Sequence, residues 1–265
     1  MIMQVILFSA IAGIFGMGFG GFISVTLLKR SSENMMCWML SFAAGIMVSI
    51  VCFGLVPEAV EITGIIPSIC GLIFGIVVIM FLNRVVDKIT ETKNGDGEKH
   101  KLHYTHEELY HESRIIQNRS KMLHSGMIML IAIALHNIPE GIAIGAGGSY
   151  DFQLGALLAI MIALHNIPEG MAIAAPLLAG GINRWKVVFL TSLSGAPTLL
   201  GGLIGIMIGS ISTFTVAIAL SAAGGAMLYV VFGEIIPQAV VMTKNRTATL
   251  VVLLGMIVGL LIAQM

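Results

Sequence analysis

Two identical hexads hold the residues best able to do chemistry in this chain. His136-Asn137-Ile138-Pro139-Glu140-Gly141 recurs as His165-Asn166-Ile167-Pro168-Glu169-Gly170, each copy preceded by Ala-Leu. A His and a Glu four residues apart share one helix face. The proline between them has no N–H to donate, so the carbonyl of Leu135 or Leu164 loses its helical partner and a bend is expected there. The imidazoles of His136 and His165 offer neutral nitrogen, and Glu140 and Glu169 offer anionic oxygen. Asn137 and Asn166, three residues before each Glu, add a carbonyl oxygen that can complete a shell or orient a carboxylate. Mixed nitrogen and oxygen donors suit zinc, iron(II), manganese or cobalt, whereas an all-oxygen set would suit calcium or magnesium.

The surroundings of the hexads sharpen this reading. The chain is 57% hydrophobic and 11% charged over 265 residues, with a mean hydropathy of +0.97. A soluble domain carries about a quarter charged residues, so this composition describes an all-α polytopic membrane protein. Both hexads fall near the middle of apolar segments, where each ionisable group costs about 2.5–3.5 kcal/mol to insert. A chain that bears this cost twice, with the same residues, is most simply read as binding a cation between two antiparallel helices.

Apolar runs mark eight expected transmembrane helices, at roughly 4–28, 36–60, 65–83, 123–148, 152–179, 186–209, 213–241 and 248–264. All fourteen Lys and Arg residues fall after odd-numbered spans: Lys29 and Arg30, the run from Arg84 to Lys121, Arg184 and Lys186, and Lys244 and Arg246. The positive-inside rule then puts both termini outside and those four loops in the cytoplasm. Residues 1–265 read as a single transmembrane domain, with 84–122 as a cytoplasmic loop containing His100, His103, His106 and His111. A His-rich tract can bind metal weakly, and a solvated linker would look the same. Cys37, Cys52 and Cys70 fit no disulfide framework and no zinc-finger spacing.

A second repeat joins residues 41–60 to 221–240, where Ser41, Gly45, Met47, Val51 and Pro57 match Ser221, Gly225, Met227, Val231 and Pro237. These spans run in opposite directions, as do the two hexad spans. Three spans, two spans and three spans with paired units inverted is the 3+2+3 inverted-repeat plan of secondary transporters, whose site lies at the bilayer midplane. Glu234, before Pro237 in span seven, reads as a cation exit, and Glu58 and Glu61 at the outer end of span two read as an entrance.

At these residues the chain resembles the ZIP family of divalent-metal transporters, in its prokaryotic broad-specificity branch. The twin hexads carry the resemblance, supported by the context of Met47 and by Glu234-Ile235-Ile236-Pro237. The resemblance implies that His136, Asn137, Glu140, His165, Asn166 and Glu169 are transport-site positions. It implies that Met47 can add a thioether ligand, and that the metal-bearing helices slide against the others like an elevator. One stretch departs from the family. Relatives with two metals often carry Ser-Gly-x-x-Glu-Pro in span six, but this chain reads Ser194-Gly195-Ala196-Pro197-Thr198, with no acid.

The function expected is uptake of a divalent transition metal (zinc, iron, manganese or cobalt) across the cytoplasmic membrane. The metal is substrate and not a fixed cofactor. The lipid bilayer is the surrounding partner, nucleic acid is not a partner, and a homodimer is left open. No nucleotide-binding loop is present, so no ATP-driven step is implied. Sequence alone also permits export. An intramembrane metalloenzyme is the rival class, but both hexads lack His-Glu-x-x-His and Glu-x-x-His spacing. Replacing His100, His103, His106 and His111 together is expected to change apparent affinity or regulation without stopping uptake. Radiometal uptake into vesicles measures it, and complete loss with normal membrane insertion would place an essential site in the loop.

Overall fold

Hydrocarbon offers a backbone no hydrogen-bond partner, so an apolar chain of this length must satisfy its own peptide groups. It does so with helices. The computed structural model describes residues 2–27, 33–91, 119–242 and 246–263, which form eight helical rods and no strand among the described residues. Rod α1 joins Ile2–Ala10 to Gly16–Leu27 through a π-helical turn at Ile11–Phe15. Rod α2 joins Glu33–Ser49 to Val56–Thr63 through a π turn at Ile50–Leu55. Then come α3 (Ile65–Glu91), α4 (Arg119–Tyr150) and α5 (Phe152–Ala179). Rod α6 is broken at Gly195, between Arg184–Ser194 and Ala196–Gly209. Rod α7 joins Thr213–Val230 to Ile236–Met242 through a π turn at Val231–Ile235, and α8 is Thr247–Ala263.

Seven of the rods are long and apolar enough to cross a membrane, while α8, seventeen residues long, is apolar but shorter. The surface is apolar where water would demand otherwise. Phe15, Phe74, Met207, Leu250 and Leu261 are exposed, while His136, Asn137, Glu140, His165, Asn166 and Glu169 are buried. That inversion is what a lipid solvent selects. Helix extends into both ends of the stretch read as a loop over 84–122, because nothing there stops the hydrogen-bond ladder. No proline or glycine interrupts 84–91 or 119–122, and Arg, Lys and Glu are good helix formers. His100, His103, His106 and His111 lie outside the described residues.

Glycines set how closely the rods pack. A Cβ on Gly45 of α2 would collide with the Val252 carbonyl of α8, and a Cβ on Gly225 of α7 with the Leu72 carbonyl of α3. Gly255 meets the Phe42 carbonyl in the same way, and Gly75 meets that of Ala222. Each of these contacts maps onto another when 180 is added to its residue numbers in α2 and α3 (Gly45 to Gly225, Leu72 to Val252, Phe42 to Ala222, Gly75 to Gly255). The π turns of α2 and α7 follow the same offset, with Val56 N–H bonding the Val51 carbonyl and Ile236 N–H bonding that of Val231. The α1–α5 and α6–α4 contacts also correspond. Gly20 abuts the Ile167 carbonyl and Gly201 that of Ile138, while Gly170 abuts the Met17 carbonyl and Gly141 that of Thr198. In lipid, where association rests on van der Waals fit, small residues at such crossings let backbones touch.

Gly45→Leu and Gly225→Leu are each expected to cost at least the roughly 1–3 kcal/mol of an overpacked core, read as a lower melting temperature in detergent. Gly54→Ala is the control, since a Cβ there meets only a Leu158 methyl at 3.9 Å. Equal melting of all three variants would show that these crossings do not hold the rods together.

Candidate metal centre

The α4–α5 hairpin turns at a single residue, Asp151, whose side chain caps α5 by accepting from Leu154 N–H at 2.8 Å. So tight a turn makes α4 and α5 antiparallel neighbours, and the hexads face each other. Neither proline ends its helix: α4 continues through Pro139 and α5 through Pro168 and Pro176.

At the crossing, Glu140 Oε1 lies 2.9 Å from His165 Nε2, with neither side chain exposed. The other ring nitrogen, Nδ1, is 3.2 Å from the Met161 carbonyl one turn earlier on α5. A carbonyl can only accept, so Nδ1 carries hydrogen and Nε2 is left to face the carboxylate. A cation can sit between an imidazole nitrogen and a carboxylate oxygen so placed. Glu169 completes the group, since ligand atoms of Glu140, His165 and Glu169 lie within 4.8 Å of one another. Bonds of about 2.0–2.2 Å in a tetrahedral shell would put neighbouring ligands about 3.4 Å apart, so small side-chain shifts close the set on a metal. Glu140 Oε2 and Glu169 Oε2 are buried and have no hydrogen-bond partner among the described residues.

The hexad amides are held by carbonyls that other rods have released. In α1, Gly16 N–H reaches back five residues to the Ile11 carbonyl. The Ala12 carbonyl, which a regular helix would pair with Gly16, instead accepts from Asn166 Nδ2 at 3.0 Å. In α6 the break at Gly195 does the same. Thr198 N–H turns to the Gly195 carbonyl at 3.2 Å, and the freed Ser194 carbonyl accepts from Asn137 Nδ2 at 2.8 Å. Because the partner in each case is a carbonyl, the amide must present nitrogen to it. Asn137 Oδ1 and Asn166 Oδ1 are therefore left as buried acceptors without a hydrogen-bond partner among the described residues. They are oxygen donors available to a cation.

His136 and Glu234 are placed together as a second pair, beside the Glu140–His165–Glu169 group and outside its 4.8 Å set. His136 Nε2 lies 3.2 Å from Glu234 Oε2, and Asn83 Nδ2 of α3 donates to Glu234 Oε1 at 2.8 Å. Glu234 sits in the π turn of α7 and is 17% exposed, against 5% for His136. His165 joins Glu140 and Glu169 within 4.8 Å, while His136 of the other hexad pairs with Glu234 of α7. The structure also brings in Asn83, which the motif reading passed over. A lone amide beside Arg84 at the end of an apolar run was its only sign. Met47 is buried in the apolar core of α2. Glu58 is half-buried and Glu61 exposed near the end of α2. Thr198, at the acid position of the Ser-Gly-x-x-Glu-Pro pattern, is buried with its Oγ1 unpaired among the described residues.

Comparison with known proteins gives a family match across nearly the whole chain. The family model described as ZIP Zinc transporter matches residues 3–263. A zinc transporter ZIP11 of Xenopus tropicalis is 41% identical over 139 residues, which is 50% of this chain and 41% of that protein. The zinc transporter ZTP29 of Arabidopsis thaliana is 31% identical over 89% of this chain and 85% of its own length. The zinc transporter ZupT of Salmonella paratyphi A is 31% identical over 91% of this chain and 89% of its own.

Replacing either amide orphans a buried carbonyl. Asn137→Ala and Asn166→Ala are each expected to destabilise the protein by about 1–3 kcal/mol. Thermal unfolding in detergent measures the effect, and unchanged melting in both would show that water or rearrangement satisfies the carbonyls.

Proposed function

This chain belongs to the ZIP zinc transporter family, and we propose that it carries a divalent transition metal from outside the cell into the cytosol through the hexad site. It is a transporter and not an enzyme. Zinc is the first substrate the relatives' names suggest, and the donor set of His, Glu and Asn also accepts iron(II), manganese and cobalt. The observation that carries the reading is the buried group of Glu140, His165 and Glu169, in which each carboxylate keeps one buried oxygen with no hydrogen-bond partner among the described residues. Two carboxylates match a divalent charge, and neutral His165 supplies nitrogen.

In this reading all eight rods span the bilayer in a 3+2+3 inverted repeat, with both termini outside. The offset of 180 shared by glycine crossings and π turns supports it. The protein sits in the cytoplasmic membrane, and 84–122 contains the cytoplasmic loop. An inside-negative potential favours inward movement by about 2.3 kcal/mol per charge per 100 mV. Glu58 and Glu61 collect the cation outside, and Met47 can lend a thioether. His136 and Glu234, steadied by Asn83, receive the ion on the cytosolic side. Thr198, where two-metal relatives carry an acid, leaves a second adjacent ion with too little negative charge. Two ions a few ångströms apart repel as about 332/(ε·r) kcal/mol per unit-charge product.

His165→Ala and Glu169→Ala are expected to abolish metal uptake into proteoliposomes while the protein still elutes as a single folded species on gel filtration. Loss of the folded peak in step with uptake would mean that these residues only lock helices. Metal analysis after dialysis is expected to give one tightly held ion per chain, and two fully retained ions would overturn the single-site reading.

A further inference from the structure

Behind the hexad helix, on the side lined by Ile138, Pro139 and Ile142, lies a cavity of about 320 Å³ between α3, α4, α6 and α7. Its far wall is built from small residues, with Gly75 on α3 and Ala219, Ala222, Ala223 and Ala226 on α7. The gap persists for a structural reason. α3 and α7 are drawn tightly together where Gly75 meets the Ala222 carbonyl and Gly225 that of Leu72, so neither can swing across to fill it.

The lining selects its occupant. Among the described residues lining the cavity, Thr215 carries the only polar side chain, and its Oγ1 already lies in hydrogen-bond reach of the Ile208 carbonyl at 2.8 Å and the Ser212 carbonyl at 2.7 Å. No donor or acceptor is left for an ion or a polar ligand, and a cavity so lined does not hold water. A helix of a second copy, about 10–12 Å across with its side chains, is too wide for this volume. The cavity runs along α3 from Phe74 to Leu82, about 12 Å of helix. Its rim reaches the outer surface, where Phe74 is 60% and Phe214 53% exposed. A single hydrocarbon chain has this length and this chemistry.

We propose that the cavity is a binding site for one acyl chain of a bilayer phospholipid, seated directly behind the helix that carries His136 and Glu140. The proposal rests on the chain lying in a bilayer and not on the identity of the transported ion, so its failure leaves the metal reading untouched. The seated chain backs Ile138 and Ile142 with hydrocarbon, and bilayer composition thereby gains direct contact with the transport helix.

The test uses the full chain in vesicles of phosphatidylglycerol and phosphatidylethanolamine containing a phospholipid with a diazirine in its acyl chain. After illumination, adducts are mapped by peptide mass spectrometry. Adducts are expected within Ile138–Ile142 and within Phe214–Ala226, in addition to those on the exposed face of α8 at Leu250, Leu254 and Ile257. Ala219→Phe, which fills the cavity, is expected to cut the Ile138–Ile142 adducts several-fold and leave the α8 adducts unchanged. Ala223→Leu carries the same comparison if the larger variant does not elute as a folded species. Absence of adducts at Ile138–Ile142 in the unaltered chain would overturn the proposal. So would adducts that persist undiminished in the filled variants.

Discussion

Glu140 and His165 meet at 2.9 Å with no exposure of either side chain, and the rest of the structure follows from having to make that contact in hydrocarbon. A charge on either group cannot be left alone there, because an unpartnered charge in lipid is too costly to keep. Each needs the other, or a cation between them. The one-residue turn at Asp151 makes the two hexad helices antiparallel. Gly141 and Gly170 let α6 and α1 press against those helices from outside. The exterior is apolar so that every polar group can be spent inside.

The second constraint is the backbone itself. A helix uses up its own carbonyls, so a polar core in lipid has few acceptors to offer. This protein makes acceptors by breaking helical regularity in chosen places. The π turn at Ile11–Phe15 releases the Ala12 carbonyl and the break at Gly195 releases that of Ser194, and each receives one hexad amide. The π turn at Val231–Ile235 carries Glu234, which takes His136 and Asn83. Irregular turns of this kind gather at functional sites because a regular helix cannot bring spare hydrogen-bonding groups to a point. Here they hold the asparagines by their nitrogens and leave their oxygens available.

Much of this was legible in the chain. The hexads displayed their own chemistry, since identical His, Asn and Glu in two apolar segments have no simpler reading than a cation site. The helical class followed from the apolar runs, whereas no residue pattern in the repeat over 41–60 and 221–240 announces the π turn that each copy carries. What the sequence hid was register between helices distant in the chain. Nothing in α4 announces that His136 faces α7 while Glu140 faces α5, because both residues lie on one face and the choice depends on how the rods rotate. The acceptors for Asn137 and Asn166 were hidden for another reason. Gly195 and Pro197 mark the break in α6, but no proline marks the π turn in α1, where Gly13, Gly16, Gly18 and Gly20 look like ordinary membrane-helix packing residues.

In the proposed account a divalent ion sits between Glu140 and His165, with Glu169 closing the shell. X-ray absorption at the zinc edge of the zinc-loaded protein tests it most directly. The expected spectrum shows nitrogen and oxygen neighbours at about 2.0–2.2 Å, with an imidazole signature that weakens or disappears in His165→Ala. A zinc environment identical in the unaltered protein and in His165→Ala would contradict the account.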